Sequence, residues 1–142
     1  MKTKQILVIE HERMIFLDIK VTFAQLEYEV VYASKHNLET IANGGLEPAL
    51  IVADVQTCLV SLRRLYRTYR SHEALRKAPV IFTNSGHPVF NYCMGMRMNV
   101  IKEVAKPYNV SDLVDVFVKY NVTHACKETI VKGFTCDSFV MN

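Results

Sequence analysis

The sequence predicts an α/β fold, a doubly wound five-stranded parallel sheet with helices on both faces. Three observations predict it. Short apolar runs alternate along the chain with segments of helical period. Several of those runs are apolar throughout, as strands buried on both faces are. The chain has 142 residues, 50% hydrophobic and 22% charged, which suits one domain with a sizeable core.

The elements follow in order. Gln5 to Ile9 (QILVI) is the first strand and runs into Glu10. A helix is expected over Arg13 to Leu26, with Phe16, Ile19, Phe23 and Leu26 on one face. Glu29 to Ala33 (EVVYA) is the second strand. Asn37 to Asn43 is a short helix stopped by Gly44-Gly45. Ala49 to Ala53 (ALIVA) is the third strand, and Asp54 stands at its C-terminal end. A long helix is expected next, with Cys58, Leu62, Leu65 and Tyr69 on one face. Pro79 to Thr83 (PVIFT) is the fourth strand. Ser85-Gly86-His87-Pro88 reads as a loop, followed by a helix through Phe90, Cys93 and Met94. Val100 to Ala105 is the fifth strand and the weakest, because Lys102 and Glu103 interrupt it. Lys106-Pro107 breaks the chain, and Asn109 caps a last helix to about Tyr120, with Asp112 in its first turn. Residues 1–120 therefore form one domain. Residues 121–142 form an extension, either a hairpin of Thr129-Ile130-Val131 and Phe134 about Lys132-Gly133 or a loosely docked tail.

Bulk properties exclude several classes. No apolar run reaches the roughly 18 residues that span a bilayer. The basic Met1-Lys2-Thr3-Lys4-Gln5 start precedes too short an apolar segment for a secretory signal, so a cytoplasmic protein is expected, with no membrane partner. Cys58, Cys93, Cys126 and Cys136 make no CxxC pair and no zinc-finger spacing, and read as free thiols. A net charge of +3 does not point to nucleic acid.

In an open parallel sheet, ligands bind beyond the carboxyl ends of the strands. Glu10, His11 and Glu12 follow strand one, Asp54 follows strand three, Thr83 and Asn84 end strand four, and Lys106 follows strand five. Clustered carboxylates suit a hard cation such as Mg²⁺. A carboxylate beside that cation can attack phosphorus, and an ammonium and a hydroxyl can hold phosphoryl oxygens. Each residue alone has an ordinary explanation as a cap, a turn or a solvated charge. Their convergence on one sheet edge favours a site.

ILVIEHE, LIVAD, PVIFT and AKPY together resemble the receiver domain of two-component response regulators, over roughly residues 4 to 120. The resemblance implies the flavodoxin-like, CheY-like strand order 2-1-3-4-5. It implies that Asp54 accepts a phosphoryl group from a histidine kinase or phosphotransfer protein and that Thr83 and Lys106 hold that group. It also implies a metal site of Glu10, His11, Asp54 and the Gln56 backbone carbonyl, and a downstream protein partner. Such a domain relays a signal through changed protein–protein contacts, and is no enzyme beyond its own phosphotransfer and dephosphorylation.

Four departures bear on that reading. His11 stands where the family has a second carboxylate. A neutral imidazole is a poor Mg²⁺ ligand though acceptable to transition metals, and a protonated one would pair with Asp54. Asn84 replaces a small residue, Val55-Gln56-Thr57-Cys58 lacks the usual Pro and Gly, and Glu103 replaces the aromatic switch residue. Two functions follow: a phospho-accepting receiver with altered metal dependence, or a pseudo-receiver that acts as an interaction module without phosphorylation. An unrelated flavodoxin-like enzyme is disfavoured, since no Gly-rich phosphate loop follows strand one.

Two surfaces stand out. Arg63, Arg64, Arg67 and Arg70, interleaved with Tyr66 and Tyr69, read first as a solvated basic face and second as a dock for an acidic partner or nucleic acid. Met14, Leu17 and Val21 give the first helix a second apolar stripe, read either as a wide core face or as a kinase or homodimer contact. Met94, Met96 and Met98 read as core filling.

Overall fold

The computed structural model describes residues 4–34, 37–55, 62–83 and 98–131. The elements are β1 (Gln5–Ile9), α1 (Arg13–Ala24), β2 (Glu29–Ala33), α2 (Leu38–Asn43), β3 (Pro48–Asp54), α3 (Leu62–Ser71), α4 (Glu73–Lys77), β4 (Val80–Thr83), β5 (Val100–Val104) and α5 (Val110–Val131). The five strands form one sheet in the order β2-β1-β3-β4-β5, parallel at every pairing. This is the order that the resemblance implies. No described helix is long and apolar enough to cross a membrane.

Strand alternation divides the core into two layers, because successive side chains leave a strand on opposite faces. Ile6 and Val8 of β1, Leu50 and Val52 of β3 and Ile81 of β4 point to one face. There they meet Ile19 and Phe23 of α1 and Val110, Leu113 and Phe117 of α5. Leu7, Ile9, Ile51, Ala53, Val80 and Phe82 point to the other, against Leu38 and Ala42 of α2, Leu65 and Tyr69 of α3 and Leu75 of α4. Both faces of β1, β3 and β4 are thus covered, which is why these strands read as continuous apolar runs. β5 is an edge strand. Its partial burial accommodates exposed Lys102 and half-buried Glu103, the residues that weakened its sequence signal.

Local chemistry explains the turns. Gly45 takes φ +87° after α2, a conformation that suits glycine. α1 stops at Ala24, two residues short of the expected end, and this leaves Leu26 exposed rather than in the core. The helix after β3 is divided. His72 is extended at φ −120° and ψ 113°, separating α3 from the short α4, which the sequence pattern did not predict. The His72 ring bridges the break: Nδ1 lies 2.9 Å from the Thr68 carbonyl oxygen and Nε2 lies 2.8 Å from Asn43 Oδ1. Tyr69 is buried rather than displayed with the arginines. Its hydroxyl donates to the Arg76 carbonyl (3.1 Å) and accepts from the Asn99 N–H (3.0 Å). Arg64, Arg67 and Arg70 are exposed.

The last helix passes the expected end at Tyr120 and continues to Val131, so Thr129-Ile130-Val131 is helical and not a hairpin strand. No Gly or Pro interrupts residues 108–132, and the helix therefore meets no breaker. Met98 is buried in the core as expected. The Arg63 side chain, Gln56, Cys58, Asn84, the 85–88 loop, the expected helix through Phe90, Cys93 and Met94, Met96, and the tail from Lys132 lie outside the described residues.

Phe23 holds three elements together. It is fully buried, and its ring lies 6.2 Å from both Tyr28 and Phe117. Phe23→Ala should cost about 3–5 kcal/mol in urea unfolding. A loss below about 1 kcal/mol would show that this layer can collapse around the cavity.

Candidate functional site

The parallel register assembles the site. Ile9 pairs with Ala53, so Glu10 and Asp54 leave neighbouring strands at one level. Asp54 pairs with Thr83, and Thr83 pairs with Val104, two residues before Lys106. Since β1 lies between β2 and β3, the chain's direction of winding reverses here, at the crevice where such sheets bind ligands.

Glu10, Asp54 and Thr83 are buried, whereas His11 and Glu12 lie at the exposed rim. Lys106 reaches across, with Nζ 3.0 Å from Asp54 Oδ1, 3.2 Å from Glu10 Oε1 and 3.1 Å from Glu12 Oε1. Glu10 Oε1 also accepts the backbone N–H groups of His11 and Glu12, each at 3.0 Å. The His11 ring stands on the other side of Asp54. Its Nδ1 is 3.5 Å from Asp54 Oδ2 and 3.6 Å from Glu10 Oε1, and its Nε2 is 3.9 Å from Glu12 Oε1.

Three carboxylates so close together repel one another unless cations balance them. Lys106 is the cation placed to do so. Burial pulls its pKa down, but Asp54, Glu12 and Glu10 together outweigh burial and hold it above the ordinary lysine value. On the inner side, the buried Thr83 Oγ1 and Tyr108 hydroxyl oxygen make no hydrogen bond of good geometry among the described residues. Burial first, and then the Glu10 charge, push the Tyr108 phenol up to about 12, with the nearby Thr83 hydroxyl opposing this.

The structure brings together the predicted Asp54, Thr83 and Lys106, and the predicted metal ligands Glu10, His11 and Asp54. Glu10, His11 and Glu12 each offer a ligand atom, all within 4.8 Å of one another. Two carboxylates and an imidazole fit a divalent cation, and the imidazole inclines the set toward first-row transition ions over Mg²⁺. Two residues gained no role from the sequence. Glu12 was visible as the second acid of EHE, but its turn back toward Lys106 was not. Tyr108 follows Lys106-Pro107 directly, but its buried hydroxyl beside Thr83 depends on the path of that turn.

Removing the ammonium should leave the carboxylates unbalanced. Lys106→Met is expected to lose about 3 kcal/mol in urea unfolding at pH 7 with chelator present. In the parent protein, a raised lysine pKa means a contribution that is complete below about 10.4 and disappears only as pH rises through the higher folded value. A loss below about 1 kcal/mol at pH 7 would show that Lys106 does not neutralise the cluster.

No protein-family model and no curated protein matches the chain. Solved structures do match it. The signal receiver domain of a two-component histidine kinase from Clostridium thermocellum gives a TM-score of 0.67 at 18% identity, over 80% of this chain and 93% of that one. The receiver domain of sensor histidine kinase PA1611 from Pseudomonas aeruginosa PAO1, which has a magnesium ion coordinated in its active site cleft, gives 0.64 at 17% identity, over 83% and 97%. The chemotaxis response regulator CheY4 of Vibrio cholerae gives 0.62 at 16% identity, over 84% and 96%. What is shared at these identities is the architecture, and the chain has the CheY-like fold of receiver domains.

Proposed function

We propose that the chain is a signal-transduction receiver that accepts a phosphoryl group on Asp54 from a histidine kinase or phosphotransfer protein and relays it through altered protein contacts. The observation that carries this reading is the wholly buried Asp54 carboxylate at the end of β3, 3.0 Å from Lys106 Nζ and in register with Thr83. In the transfer, an Asp54 oxygen attacks the phosphorus of a phosphohistidine. The P–N bond breaks, its electron pair stays with the imidazole nitrogen, and that nitrogen takes a proton from solvent. Lys106 moves from pairing carboxylates to binding a phosphoryl oxygen, and Thr83 donates to another.

Glu10, His11, Glu12 and Asp54 are the residues that would hold a divalent cation. Such an ion supplies charge neutralisation for the phosphoryl oxygens. Magnesium lies in the cleft of the Pseudomonas receiver. Here His11 favours Mn²⁺ over Mg²⁺. Met14, Leu17 and Val21 on α1 are exposed, which supports this helix as the contact for a protein phosphodonor. One observation favours the second reading, a phosphorylation-independent interaction module: His11 Nδ1 stands 3.5 Å from Asp54 Oδ2, on the side of the carboxylate that a cation would use.

Intact mass after incubation with acetyl phosphate separates the two. A receiver gains one phosphoryl group in Mn²⁺ or Mg²⁺, more in Mn²⁺, and Asp54→Asn gains none. No gain with either ion would leave the interaction module standing. Met14→Glu and Val21→Glu should keep labelling by acetyl phosphate and lose at least about tenfold in transfer from a protein donor, or about 1.4 kcal/mol. Unchanged transfer would remove α1 from the donor contact.

A further inference from the structure

Beyond His11, away from Asp54, α1 and the sheet edge enclose a second feature. Arg13, Phe16, Leu17 and Lys20 recur at i, i+3, i+4 and i+7 and so share one helix face. Together with His11 and with Tyr32 of edge strand β2 they line a trough of about 420 Å³. That volume falls within the roughly 300–1,000 Å³ of small-molecule sites. Its outer strand residue, Tyr32, is one position from the C-terminal end of β2, at the pole where open parallel sheets take ligands.

The lining combines two chemistries. Phe16 and Tyr32 pack edge to face with ring centroids 5.0 Å apart, and with Leu17 they form an apolar wall. Arg13 and Lys20 stand seven residues apart, about 10 Å along the helix. Both are exposed, and neither has a carboxylate within ion-pair distance among the described residues. Among the described residues, no acidic side chain lines the trough. Unpaired cations beside an aromatic wall complement an anion attached to a planar ring. A guanidinium takes two oxygens of a phosphate or carboxylate, and an aromatic wall takes the ring.

We propose that this trough binds a small ligand carrying both an anionic group and a planar ring, a nucleoside monophosphate or an aromatic carboxylate. Arg13 and Lys20 hold the anion, and Phe16 and Tyr32 hold the ring. The site stands on its own lining and does not depend on phosphoryl transfer at Asp54. His11 belongs to both places, so a bound ligand touches a residue that faces Asp54.

Titrations of the full chain by NMR, with AMP and with 4-hydroxybenzoate as probes, test the proposal. Inorganic phosphate and adenosine serve as half-ligands. One probe should saturate with a Kd on the order of 0.01–1 mM, with shifts centred on Phe16 and Tyr32. Arg13→Ala and Lys20→Ala, both changes at exposed side chains, should each weaken binding about tenfold, or about 1.4 kcal/mol. Saturation by AMP or by the carboxylate supports the site and identifies which anion source it accepts. The proposal is overturned if neither probe saturates, if phosphate alone binds as tightly as either probe, or if Arg13→Ala and Lys20→Ala both bind as the parent does.

Discussion

Charge balance at one end of the sheet is the constraint on which the rest of the structure depends. A parallel sheet in this order puts the ends of β1 and β3 side by side, and both end in carboxylates. Buried negative charge of that kind is costly unless a cation meets it. Lys106 arrives from the far side of the sheet, and its ammonium is shared among Asp54, Glu10 and Glu12. Two backbone N–H groups share the load at Glu10. One ammonium among three carboxylates offsets their charge only in part, which leaves the site disposed to take a further cation. Any divalent cation or phosphoryl group that enters must exchange with an interaction already present, so binding is a redistribution of charge rather than the filling of an inert hole.

The two-layer core supplies the rigidity that this arrangement needs. Each of the three inner strands sends alternate side chains to opposite layers, so no strand can shift register by one residue without exchanging its layers. Register fixes which strand ends are neighbours. The position of Asp54 beside Thr83 is therefore enforced by apolar packing well away from either polar group. Hydrophobic burial holds the chemistry in place.

The inner strands were legible because burial on both faces leaves an uninterrupted apolar signature, and the ends of those strands exposed Asp54 and Thr83 directly. β5 was harder because an edge strand tolerates Lys102 and Glu103. α4 was not legible at all. Five residues carry no helical period, and this turn exists because His72 bridges to Thr68 and Asn43 while Leu75 enters the core. The length of α5 was readable in one respect, since no breaker follows Tyr120. The sequence pattern beyond Tyr120 nevertheless suggested a hairpin or a loosely docked tail, not the helix that continues to Val131. At the site, side-chain type identified Glu10, His11 and Lys106. The roles of Glu12 and Tyr108 depend on how two turns fold back, which composition and spacing do not encode.

The long final helix gives the molecule a polarity. α5 starts beside the Lys106 turn and runs back past the sheet, where the Asn99 side chain donates to the Tyr120 hydroxyl at the opposite pole. Eleven residues remain after Tyr120, roughly 16 Å of helix. Val131, the last described residue of this shaft, is therefore remote from Asp54, while the root packs against the strands that carry the site through Val110 and Leu113. A tilt of a few degrees at the root becomes a displacement of ångströms at the tip. The helix has the proportions of a lever, with a short arm against the strands of the site and a long arm beyond the opposite pole.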